Sequence, residues 1–173
     1  MNKGLSKEAT IYNYALLKKC GLGKIYSSIY IILLLVWGIV GLMWHYSGTI
    51  TLLLGLPVFH YLYYILIRLL IRFTSRTAEF TWVWKKDLLW NGYLPESYIR
   101  IQRLLSIHLH LLVIGTAIIG IAYVWVPGSV FFTLLYIHCW LLLPRIGLLL
   151  KLKKINSTGL VKISGNELSL YST

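Results

Sequence analysis

The chain has 173 residues, of which 58% are hydrophobic and only 13% charged, against about a quarter charged in an ordinary soluble domain. Its formal charge of +12 comes from 17 Lys and Arg against 5 acids. The cations flank apolar runs instead of forming one dense patch, which excludes a nucleic-acid module. The two cysteines, Cys20 and Cys139, sit in segments expected at different depths, so no disulfide is expected between them.

The leader, residues 1–24, places Leu5, Ala9, Tyr12, Leu16 and Cys20 at helical spacing, with Lys7, Lys18 and Lys19 elsewhere around the wheel. That pattern predicts a short amphipathic helix from Ser6 to Cys20 lying on an interface, ended by Gly21 and Gly23. Four apolar runs follow, Ile25 to Trp44, Ile50 to Ile71, Leu104 to Val126 and Ser129 to Leu150. Each is close to the roughly 20 residues that cross a bilayer as a helix. The connectors His45 to Thr49 and Pro127 to Gly128 hold no Lys or Arg. The positive-inside bias therefore puts both termini and the central loop in the cytoplasm. The expected fold is an all-α integral-membrane protein of two antiparallel hairpins, residues 25–72 and 104–150, packed as a four-helix bundle. Glycines and histidines recur at similar offsets in the two hairpins, a weak internal repeat.

The central loop, residues 73–103, alternates Phe80, Trp82 and Trp84 with Glu79, Thr81 and Val83, a strand period. Asn91-Gly92 then suits a type I′ hairpin turn. In the tail, residues 151–173, Leu160 to Ser164, Gly165-Asn166 and Glu167 to Tyr171 read as a second hairpin. The two hairpins are expected to pair with each other or to lie on the membrane surface. The competing reading makes Trp82, Trp84 and Trp90 interfacial anchors which, with Lys85 and Lys86, contact a partner or the membrane surface.

His60 and His138 both lie about ten residues from the outer ends of their runs, near one depth, and are the weak candidates for a haem or metal. His108 and His110 are two residues apart and cannot both face one ion. Arg68 and Arg145 are expected to extend to lipid headgroups. His138 and Arg145, seven residues apart, form a polar stripe on one helix face. No Asp or Glu occurs in any apolar run, and H-E-x-x-H, Walker, G-x-S-x-G and C-x-x-C patterns are all missing. The expectation is thus no enzyme, no cofactor and no metal.

The functional expectation is a small accessory protein of a bacterial plasma membrane, an immunity or export partner in a bacteriocin gene cluster. The alternatives are the transmembrane subunit of an ABC-type transporter and an intramembrane His-based redox or lipid enzyme. Its expected partners are a bilayer with an anionic inner leaflet, a membrane protein or peptide, an ATPase, and a second copy of the chain in a homo-oligomer.

Overall fold

The computed structural model describes residues 15–21, 23–74 and 81–172. It contains β1 (Ala15–Gly21), α1 (Lys24–Trp44), α2 (Tyr46–Thr74), β2 (Trp82–Lys86), β3 (Asn91–Pro95), β4 (Ile99–Arg100), α3 (Ile101–Ala122), α4 (Gly128–Lys153), β5 (Leu160–Ser164) and β6 (Glu167–Ser172). The four apolar runs are the four helices, and each is long and apolar enough to cross a membrane by length and composition. Pro57 and Pro144 lie inside α2 and α4, both of which continue past them.

The leader differs from expectation. Residues 6–14 of the proposed helix lie outside the described residues, and its remainder, residues 15–20, belongs to the strand Ala15–Gly21. Its backbone groups are taken up by β6, with Gly21 opposite Glu167 and Lys19 opposite Ser169. A short isolated helix is marginal, whereas a strand added to an existing sheet gains a full ladder. The tail hairpin forms as read, and β5 also pairs with β4, giving a four-stranded antiparallel sheet in the order β1, β6, β5, β4. Its turn holds Gly165 at φ 57°, while among the described residues none other than glycine has positive φ. Positive φ at the first central residue alone is the sign pattern of a II′ turn.

The loop hairpin forms too, but in another register. Lys86 pairs with Asn91 and Lys85 with Gly92, so Asn91-Gly92 belongs to β3 and the turn is residues 87–90. Burial decides this: Leu89 and Trp90 are completely buried, and folding the turn inward puts them in the core. β2 and β3 make a separate two-stranded sheet and do not pair with the tail hairpin.

One core joins these layers. Leu104, Leu111, Leu142, Leu149 and Leu152 from the helices are buried together with Leu94, Val161, Ile163, Leu168 and Leu170 from the strands. Strand side chains alternate inward, as Val161 and Ile163 do on β5. The start of α3 is tied to the sheet by Ile101 N–H donating to Gly159 O at 3.1 Å.

The all-α bundle is therefore corrected to a mixed α/β fold with two sheets. The correction reaches the membrane reading, which took the four apolar runs as spans of a helical bundle and the segments rich in Lys and Arg as its cytoplasmic flanks. Here the flanks are working parts of the fold. Lys19 pairs with Glu167 across the strands at 3.4 Å, and Lys85 donates to Ile163 O at 2.5 Å. Arg145, expected at the headgroups, is 4% exposed and bonded to backbone carbonyls. The plasma-membrane location, the anionic-leaflet partner and the peptide and ATPase partners rested on the four-helix membrane bundle, and they fall with it. So do the bacteriocin accessory role, the transporter subunit and the intramembrane His-based enzyme.

Candidate functional site

Polar side chains converge where α2, α3 and α4 meet the β2–β3 hairpin. Arg145 on α4 reaches the hairpin turn, its Nε donating to Leu89 O at 2.7 Å and its Nη2 to Asn91 O at 2.6 Å. Among the described residues no carboxylate lies within ion-pair distance of it. Two charge-assisted bonds to carbonyls offset part of the large cost of burying a cation. Burial still pulls the guanidinium below its usual range, and the tyrosines Tyr30 and Tyr63 act in the other direction.

His138 is the second anchor, fully buried on α4 one helix stretch away. Its Nε2 lies 3.0 Å from Leu112 O, and because a carbonyl only accepts, this nitrogen carries the proton. Nδ1 must then accept the Tyr63 hydroxyl at 2.7 Å. Thr116 Oγ1 lies 3.3 Å from the same Nε2. The ring fits because α3 presents Gly115 beneath it, where a Cβ would sit inside the contact distance of the imidazole. Burial lowers the His138 pKa, so the imidazole is held neutral.

The remaining histidines follow the same logic. His60 Nδ1–H donates to Leu56 O at 2.7 Å and His108 Nδ1–H to Leu104 O at 2.9 Å, each to its own helix. Burial lowers both pKa values, that of His108 to about 4, with the Arg145 charge adding to the effect. Trp90 meets the His108 ring edge-on at 6.2 Å. His60, Tyr63, Asn91, His108 and Arg145 line a cavity of only ≈10 Å³, roughly one water's worth of room. His60 Nε2, buried without a protein partner, is on its wall.

His60 and His138, the weak haem or metal candidates, lie on α2 and α4, and His60 Nδ1 is taken up by Leu56 O. His138 has both ring nitrogens committed, and among the described residues no three His, Cys, Asp or Glu side chains group as metal ligands. His138 and Arg145 do share α4 and are both buried, but they serve different neighbours, α2 and α3 for the first and the hairpin for the second. Of the loop residues singled out, Trp84 is partly exposed but sets its ring beside His60 and Tyr64 of α2, Lys86 is exposed, and Trp82 stacks on Tyr93 at 5.7 Å. Trp90 is in the core and presents no surface. Tyr63, Thr116 and Gly115 were not singled out by the sequence. Gly115 has no signal in its neighbours, since the ring it accommodates is on another helix.

The other notable surface is apolar. On α1 only 11% of the most apolar stretch is buried within the protein, and on α2 28%. Ile32, Leu35, Val36 and Ile39 on α1 and Leu53, Leu54 and Val58 on α2 are exposed. The inner side of α1 is held to α4 by Tyr30 stacked on Trp140 at 3.9 Å, Trp37 on Tyr136 at 4.3 Å, and the Tyr136 hydroxyl donating to Leu33 O at 2.6 Å.

No protein-family model matches the chain, and neither a curated protein nor a solved structure matches it.

Proposed function

We propose that the protein is a non-catalytic docking module, in which the buried polar cluster holds the hairpin on the helices and the exposed flank of α1 and α2 binds the apolar surface of another protein. The observation that carries the reading is the run of large exposed apolar side chains along both helices. Contiguous apolar surface beyond a few hundred Å² marks an interaction site. Two adjacent helices also offer the ridges and grooves into which a partner's helices pack. The polar cluster supports the non-catalytic half of the reading, because its donors are aimed at backbone carbonyls of the chain itself.

Photo-reactive side chains placed at Val36, at Leu53 and, as a control, at Lys154 test it in intact cells. Discrete protein adducts from the first two positions and none from the third are expected. Adducts to lipid alone, with the purified chain floating on protein-free vesicles, would overturn the docking reading.

A further inference from the structure

A second surface feature lies where β1, the start of α1 and α4 come together. Where β1 passes the end of α4 there is an open cleft of ≈510 Å³ lined by Lys19, Cys20, Tyr26, Pro144, Leu148 and Lys151, with Gly147 in its wall. That volume lies in the range of small-molecule sites, which are mostly apolar with a few placed polar groups. The lining has this division. Pro144, Leu148, Tyr26 and Cys20 are its less polar part, and Lys19 and Lys151 are exposed cations.

We infer that this cleft binds a single-chain amphiphilic anion, its phosphate or carboxylate head on Lys19 and Lys151 and its alkyl tail along Leu148, Pro144 and Tyr26. Charge complementarity selects the head. Lys151 has no acid within ion-pair distance among the described residues, and Lys19 has only the exposed Glu167 at 3.4 Å. An exposed pair of that kind is weak and screened, so a bound anion displaces it readily. Lysine suits the task as a mobile point charge that meets either head group. The size of the cleft selects a free molecule with one chain. Gly147 makes the room: a Cβ built there meets no atom within 4 Å. A side chain added at this position starts into open space on the cleft wall.

Calorimetric titration of the full chain with dispersed decyl phosphate, below its micelle concentration, tests this. One saturable site is expected. Lys151→Gln should weaken binding by about fivefold and Gly147→Leu by at least about tenfold. Gly120→Leu, at the far end of α3 and equally open to added volume, should leave it unchanged. Decanol, with the same tail and no charge, should bind at least about tenfold more weakly than decyl phosphate. Equal binding of decanol, equal effects of Gly147→Leu and Gly120→Leu, or binding of decyl phosphate only when presented in vesicles would each overturn the inference. Because the α1–α2 flank is untouched in the Gly147 variant, its result is independent of whether the flank docks a protein.

Discussion

Arg145 shows how one side chain can change what a pattern means. Lysine in its place keeps a buried cation but cannot span two carbonyls from a planar fork. Arg145→Lys should therefore cost about 2 kcal/mol, the value of one bond to a charged group, read as a lower denaturant midpoint. His108 carries a pH dependence whose direction follows from its neutral burial. Its folded value of about 4 lies below the ordinary 6.5. The unfolded chain then takes up the proton first, so stability is full above pH 6.5 and is lost as pH falls towards 4. The loss amounts to on the order of 3 kcal/mol. His108→Leu should flatten the decline between pH 7 and 4.5 without abolishing it, since His60 and His138 shift in the same direction. A denaturation series in which the wild type and His108→Leu lose stability in parallel would contradict this. Gly115→Ala should displace the His138 ring and cost about 1–3 kcal/mol as overpacking, while Tyr63→Phe, which removes only the hydroxyl, should cost about 1 kcal/mol.

At the scale of elements, what could be read from the chain was whatever depends on neighbours in sequence. Four long apolar runs become four helices, and the Leu160 to Tyr171 alternation becomes β5 and β6 almost residue for residue. What depends on distant partners was not legible. Leu16 and Cys20 suit a helix by spacing, yet their segment is a strand because β6 offers an edge some 150 residues away. Asn91-Gly92 carries a turn signal, but the turn forms at residues 87–90 because Leu89 and Trp90 have a core to enter and Arg145 bonds the carbonyls of Leu89 and Asn91. Gly92 keeps a positive φ of 113° inside β3. Gly92→Ala should therefore destabilise the hairpin by about 1–2 kcal/mol from backbone strain. Amide exchange should speed up in β2 and β3 and stay unchanged in β5 and β6, which belong to the other sheet.

For the whole molecule, charge segregation and hydropathy describe the helices and say little about what joins them. The cations taken as a topological signal include Lys19, Lys85 and Arg145, each bonded to a part of the chain far away in sequence. The central claim is that Ala15–Gly21 and the tail hairpin meet in one four-stranded sheet mounted on the helices. Gly21 and Glu167 are paired residues of β1 and β6, and a Cβ at Gly21 would lie 3.2 Å from Glu167 Cγ. Paired Cα atoms in an antiparallel ladder are about 4.5–5.5 Å apart, within the span a disulfide bridges. With Cys20 and Cys139 changed to Ser, a Gly21→Cys, Glu167→Cys chain should form an intramolecular disulfide rapidly and nearly completely under mild oxidation. A Gly21→Cys, Asn156→Cys chain should remain reduced. Slow, partial or equal cross-linking in the two chains would contradict the mixed α/β fold and return the leader to a segment independent of the tail.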